Sequence, residues 1–281
     1  TDRESKIKMS LETERTINGN IGSAEKKKTV FDKLRSGDRS KGIDMIKKSH
    51  WIVGVIFAFS LIISIFFTSF QVALYADFNV YKTEYEKYDV LSELDMTMDD
   101  AMYVTHEMMD YLIGERHTLS VITTVEGTEQ DFFNEQDRFH MAEVKGLFQG
   151  GLAIRFWSTV IAAACLVLLY IMKADFRRIL PHSYLAAVAV TAAAVLVLGA
   201  AAAIDFNAVF VAFHHVFFDN DLWIFDPDED YMIRMLPEGL FADMVVRIAV
   251  IFAAAILVLA AVSAMVIKWK GKNSQKLNSK K

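Results

Sequence analysis

Trp51–Ala76 reads WIVGVIFAFSLIISIFFTSFQVALYA, with no charged residue and no proline. An α-helix needs about 20 apolar residues to cross the hydrocarbon layer of a bilayer. Within that layer every peptide group must find its hydrogen bond inside its own segment, so a run of this kind is expected to be a transmembrane helix. Three more such runs follow, at about Phe156–Met172, Tyr184–Ala203 and Met244–Ile267. None contains a proline, and the only charge is Arg247, in the first turn of the last. The expected fold class is therefore all-α: a polytopic membrane protein with four transmembrane helices. The first apolar run begins after about 50 residues and is too long for the apolar core of a signal peptide, so a removable signal is not expected.

Charge orients these helices. Residues 1–50 hold 13 Lys/Arg against 8 Asp/Glu, and the segment from Lys268 holds 6 Lys and no acid. Residues 173–183 hold Lys173, Arg177 and Arg178 against Asp175. By contrast, 77–152 holds 5 Lys/Arg against 17 Asp/Glu, and 205–243 holds 1 against 9. Basic and acidic segments alternate strictly. Basic residues near span ends stay on the cytoplasmic side, so both termini are expected in the cytoplasm and both acidic segments on the outer face. The net charge of −5 conceals this asymmetry. The basic ends suit anionic lipid headgroups, and nothing resembles a nucleic-acid footprint. Cys165, the single cysteine, lies within the second span, which excludes an intrachain disulfide and a Cys-based metal site.

Three domains are expected: a mobile cytoplasmic tail over 1–50, a transmembrane domain over 51–270 and a basic cytoplasmic tail over 271–281. Within the outer segment 77–152, Leu91, Leu94 and Met98 recur at helical spacing, as do Val104, Met108, Tyr111 and Leu112. Thr97 with Asp100 reads as a helix start and Gly114 as a stop. A second helix is expected from about Asp131 to Phe148, so that two helices form a small cap over the bundle. Only Leu119–Val125 reads as extended, and a β-domain is not expected. The outer segment 205–243 carries Pro227, Pro237 and nine aromatic residues, which suits an interfacial or re-entrant stretch.

Among the seven histidines, His50 and His182 are expected to be interfacial and inert, and His106 and His117 solvated or structural. His140 and the pair His214–His215 remain. His140 precedes the second span with Asp137 three residues before it, on one helical face, and Glu143 three after. His214 follows the third span. Antiparallel second and third helices can bring their outer ends together, and two imidazoles at such a place suit general acid–base work. The same residues could instead ligate a divalent metal, although no HExxH is present. They could also be polar residues at an aromatic interface. A serine hydrolase lacks support, because there is no Gly-x-Ser-x-Gly motif.

The stretch Phe213-His214-His215-Val216-Phe217-Phe218-Asp219-Asn220-Asp221-Leu222-Trp223, continuing through Asp226-Pro227, Met235-Leu236-Pro237-Glu238 and Phe241-Ala242-Asp243, resembles the signature of a Firmicutes family of four-span membrane proteins. His140-Met141-Ala142-Glu143-Val144-Lys145 resembles its second signature, usually His-Met-x-Asp-Val-Lys, and Tyr111-Leu112 is also similar. The resemblance covers about 75 to 270. It departs at Glu143, where Asp is usual, and at Asp137, where Glu is usual; both keep the charge. The family is that of the lipoprotein intramolecular transacylases. The resemblance implies an enzyme that moves the sn-2 acyl chain of a diacylglyceryl lipoprotein onto its N-terminal cysteine's α-amino group. The implied partners are diacylated bacterial lipoproteins and membrane lipid, and no cofactor or metal is implied. The family's two essential histidines fall on His140 and His214, and Asp137 is expected to orient His140. Arg138, Asn220, Trp223, Arg234 and His215 are candidate substrate-binding or oxyanion-stabilising groups. Two other classes stay open on the residues alone: a non-catalytic sensor or assembly protein with an acidic outer binding domain, and a metal-dependent membrane hydrolase.

Overall fold

The computed structural model describes residues 46–278, with side chains to 269. The expected N-terminal tail lies outside these residues except at its end. Of the first compact unit, Thr1–Ile52, only the opening residues of the first helix are described; the second unit, Val53–Lys281, holds everything considered below.

Four helices are long and apolar enough to cross a membrane: α1 (Ile46–Tyr75), α5 (Glu135–Ile171), α6 (Phe176–Ile204) and α9 (Glu238–Asn278). Between α1 and α5 the chain forms α2 (Asn79–Lys87), α3 (Val90–Leu94), α4 (Met98–Ile113) and a hairpin of β1 (Ile122–Val125) and β2 (Thr128–Asp131). Between α6 and α9 lie α7 (Phe206–Phe217) and α8 (Tyr231–Met235). The chain is thus a mostly helical, multi-pass membrane protein, as the apolar runs require.

Local signals explain most boundaries. Thr97 caps α4 by accepting from the Asp100 amide at 3.1 Å, and Gly114 ends it at φ 92° in the left-handed region, where glycine is unstrained. Asp205 breaks α6 from α7 and accepts from the Ala208 amide at 2.9 Å. At 12 residues α7 is about 18 Å long, too short to cross a layer about 30 Å thick.

Three details differ from the sequence expectations. The segment Leu119–Val125 does hold a strand, and the polar Thr128–Asp131 pairs with it antiparallel, Ile122 opposite Asp131 and Val125 opposite Thr128. The turn residues Glu126 and Gly127 both have positive φ, 51° and 71°, as a two-residue hairpin loop demands. The helix expected from Asp131 starts instead at Glu135, because Asp131 is held in the hairpin, and it runs without a break into the second span. The expected loop 173–183 shrinks to a short turn, since α6 starts at Phe176 and accommodates Pro181 within its length.

Two apolar clusters organise the molecule. In the cap, Tyr85, Leu94, Val104, Val125, Phe132 and Met235 are all buried within one core drawn from α2, α3, α4, the hairpin and α8. Tyr85 donates to Thr105 Oγ1 at 2.7 Å, and Thr105 in turn donates to the Ala101 carbonyl at 2.8 Å, so this core hides no unpaired hydroxyl there. Among the spans, Ala58, Ile62, Tyr184, Ala187, Phe252 and Ile256 join α1, α6 and α9. Tyr184 donates to the Ile256 carbonyl at 3.1 Å.

Close helix approach depends on Gly54. A Cβ there would lie 2.5 Å from Ile179 Cγ2 and 2.7 Å from Ser183 Oγ of α6. Gly54→Ala is expected to cost about 1–3 kcal/mol through this overpacking. The check is the thermal melting temperature in detergent, which should fall, whereas Gly150→Ala, with nothing within 4 Å of its would-be Cβ, should leave it nearly unchanged.

Candidate active site

The apolar part of α5 spans the membrane, but its first turns carry Glu135, Asp137, Arg138, Glu143 and Lys145. At 37 residues the helix is about 55 Å long, far more than the hydrocarbon layer, so these charged turns stand outside it. Their start is fixed by a capping box. Asn134 Oδ1 accepts from the Asp137 amide at 2.9 Å, and Asp137 Oδ2 accepts from the Asn134 amide at 3.0 Å. Asn134 Nδ2 also donates to Asp230 Oδ1, which ties the start of α5 to the segment before α8.

This cap sets the rotation of α5 and turns His140 toward the last turn of α7. The His140 and His214 rings stack with centroids 5.9 Å apart and an interplanar angle of 24°. Each histidine is only 6% exposed. Phe218 and Phe225 lie 5.0 and 5.4 Å from His140. Phe210, Trp223 and Phe218 lie 4.2, 4.7 and 5.4 Å from His214. The two imidazoles therefore share a box of aromatic rings.

Their polar atoms are differently disposed. His214 Nδ1 donates to the Phe210 carbonyl at 2.8 Å. That bond fixes the tautomer and leaves the Nε2 lone pair as the acceptor. His140 Nδ1 is buried with no hydrogen-bond partner, and so is Asp137 Oδ1. The expected Asp137–His140 hydrogen bond is thus not formed; the carboxylate is occupied instead by the cap of its own helix. Burial pushes the His140 imidazole down to about 4, with the neighbouring His214 acting in the same direction. Burial lowers His214 as well, against the opposing pull of the Phe210 carbonyl. Burial also pushes the Asp137 carboxyl up to about 6; the Asn134 amide opposes this and nearby Asp230 adds to it. Both imidazoles are accordingly uncharged at neutral pH.

The remaining candidates divide clearly. His215 is exposed and meets Trp223 edge-on at 5.2 Å, so His214 is the one that faces His140. Trp223 lies against His214 with its Nε1 buried and unpartnered. Asn220 donates to Glu143 Oε1 at 2.9 Å. Arg138 points away into an ion pair with Asp131 of the hairpin at 2.9 Å. Arg234 likewise pairs with Glu126 at 2.8 Å and donates to the Glu93 carbonyl at 3.1 Å. The structure does not bring either arginine to the histidines, because each is taken up by an acid of the cap. Gln136, which had no sequence signal beyond its spacing of four from His140, donates to the carbonyls of Leu222 and Ile224 at 3.1 and 3.0 Å. Among the described residues no group of three His, Cys, Asp or Glu side chains is arranged to hold a metal ion.

The sequence profile of the family described as "Lipoprotein intramolecular transacylase Lit" matches residues 55–241. No curated protein matches the chain. Among solved structures, the chain is similar to the membrane integral lipoprotein intramolecular transacylase Lit from Bacillus cereus, with a TM-score of 0.66 at 20% identity, covering 80% of this chain and 99% of that one. Two variants of that protein, with a histidine replaced by arginine or by alanine, give TM-scores of 0.65 and 0.63 at 20% identity, covering 83% and 82% of this chain and 99% of each of theirs. At this identity the likeness concerns the fold.

The burial of His140 has a direct spectroscopic consequence. Its imidazole should stay neutral as pH falls through 6.5, the ordinary histidine value, and charge only well below it. Nitrogen-15 chemical shifts of the imidazole in micelles should show this low midpoint. Phe225→Ala, which admits water beside the ring, should move the midpoint upward.

Proposed function

The chain belongs to the family of lipoprotein intramolecular transacylases, and from that premise we propose that His140 and His214 are the catalytic pair that moves the sn-2 acyl chain of a diacylglyceryl lipoprotein onto the α-amino group of its N-terminal cysteine. The observation that carries this reading is the stacked, buried imidazole pair inside the aromatic box.

The family makes the chain an enzyme of the membrane acting on lipoproteins. The steps follow from the side chains. The cysteine nitrogen attacks the sn-2 ester carbonyl carbon, and a C–N bond forms. The bond from that carbon to the glycerol oxygen breaks. The nitrogen loses one proton and the glycerol oxygen gains one, so the product is an isomer of the substrate with an N-acyl cysteine and a free sn-2 hydroxyl. One imidazole takes the proton from the nitrogen, and the imidazolium so formed returns it to the glycerol oxygen. The Nδ1–H bond of His214 to Phe210 leaves Nε2 free to accept, which suits the base, while neutral His140 can donate a ring N–H hydrogen bond to the leaving oxygen as its bond breaks. Trp223 Nε1–H, buried and unpartnered beside His214, is the best-placed donor for the developing oxyanion. Because amine and ester belong to one molecule, the reaction avoids a bimolecular encounter, an advantage of up to about 7–11 kcal/mol in well-oriented cases.

The location follows from charge. The site lies between the two acidic segments, 77–152 and 205–243. The alternation of basic and acidic segments supports an outer-face site with both termini in the cytoplasm. There the acyl chains of a diacylated substrate can stay in the outer leaflet while its N-terminal cysteine reaches the box.

The reading is tested on a reporter lipoprotein produced in cells that leave its amine free. Expression of this chain should yield an N-terminal peptide of unchanged mass with one acyl chain moved from glycerol to nitrogen, seen by fragmentation in mass spectrometry. His140→Ala and His214→Ala should each lower the rate by about a hundredfold to ten-thousandfold, the usual range for lost acid–base catalysis. Full acyl transfer in both variants would sink the assignment.

A further inference from the structure

The segment that follows α7 lies along one face of α5 and is anchored on both sides of His140. On one side Gln136 Nε2 donates to two carbonyls, those of Leu222 at 3.1 Å and Ile224 at 3.0 Å. On the other, Glu143 Oε1 accepts from Asn220 Nδ2 at 2.9 Å. Asn220 then folds the segment on itself, its Oδ1 accepting from the Leu222 amide at 2.9 Å. Gln136, His140 and Glu143 follow at spacings of four and three, so all three share a face of the helix.

What the anchors hold is the aromatic box. Phe218 and Phe225 bracket the anchored segment and are the two rings packed against His140. Trp223 sits between the two carbonyls that Gln136 engages, and its ring lies 4.7 Å from His214. A single carboxamide thus fixes the backbone on either side of Trp223, using both of its N–H groups. Gln136 has no part in moving a proton or an acyl group, and both of its side-chain hydrogen bonds are with that backbone. Without them, the hydrogen bonds from this segment to α5 among the described residues reduce to that of Asn220, beside the ring contacts of Phe218 and Phe225 with His140.

We propose that Gln136 is a positioning residue for the transacylation: by holding Leu222 and Ile224 it presses Trp223 onto His214 and so sets His214 opposite His140, with Glu143–Asn220 as the second anchor. This inference rests on the reading of the two histidines as the catalytic pair. Misplacement of a catalytic group by about 1 Å can cost about a hundredfold in rate.

The test uses the full chain in micelles with a diacylglyceryl lipopeptide. Gln136→Glu keeps the side chain's length but presents carboxylate oxygens to the two carbonyls, whereas Gln136→Lys retains a donor. Gln136→Glu is expected to lower kcat by about tenfold to a hundredfold, with KM within about twofold and an unchanged melting temperature. Gln136→Lys should recover most of the lost rate. Gln136→Glu combined with Trp223→Ala should be no slower than the slower single variant, since the first acts through the second. The proposal is overturned if Gln136→Glu turns over at the full rate while His140→Ala and His214→Ala are inactive. It is also overturned if the losses with Trp223→Ala multiply, if the change lies in KM alone, or if the loss of rate merely follows a loss of folded enzyme. Full rates in both histidine variants would remove the reading on which the proposal stands.

Discussion

A peptide group in hydrocarbon has no water to bond to, and this constraint governs the whole chain. It makes each long apolar run a helix and leaves irregular backbone only where it is clear of lipid. Among the described residues, strand and short helices are accordingly confined to 77–134 and 205–237, between the ends of spanning helices. Chemistry that needs irregular backbone and polar side chains has nowhere else to go. The candidate site sits where the charged start of α5 meets the end of α7.

The energetics of that meeting run against simple solvation. Two imidazoles are buried among aromatic rings and the Asp137 side chain is fully buried, environments that disfavour their charged forms. Histidine is the residue that tolerates this best, since its neutral form already carries one donor and one acceptor. Asp137 is held by the amide of Asn134, so its burial serves the start of α5 as well as the site. The cap contributes rigidity: Asn134–Asp230 and Arg138–Asp131 lock the start of α5 to two different segments between the spans.

The sequence discloses the spans, the Thr97 and Gly114 helix ends and the two histidines, because each leaves a local mark in residue type and spacing. It discloses less where the outcome turns on competition between partners. Asp137 reads as an orienting group for His140, yet a nearer backbone amide claims it, and the Asn134-x-x-Asp137 pattern that signals this is a capping box like the one read at Thr97. Arg138 and Arg234 read as candidate substrate-binding or oxyanion-stabilising groups. In a segment so rich in acids, each finds Asp131 or Glu126 first. The second strand, Thr128–Asp131, has no apolar alternation at all; only the Glu126-Gly127 turn betrays it. Gln136 is legible only once the path of residues 218–225 is known, because both of its partners are backbone carbonyls.

The aromatic enclosure also bears on what the enzyme does not make. An activated ester between two imidazoles is open to any nucleophile that can reach its carbonyl, and water differs from the intended amine mainly in being everywhere. Rings from Phe210, Phe218, Trp223 and Phe225 surround the pair with apolar faces that offer water few partners. Exclusion of water suppresses side reactions of this kind. With the pair as the catalytic site, fidelity becomes a matter of traffic rather than of affinity: nitrogen, tethered to the same molecule as the ester, is already inside.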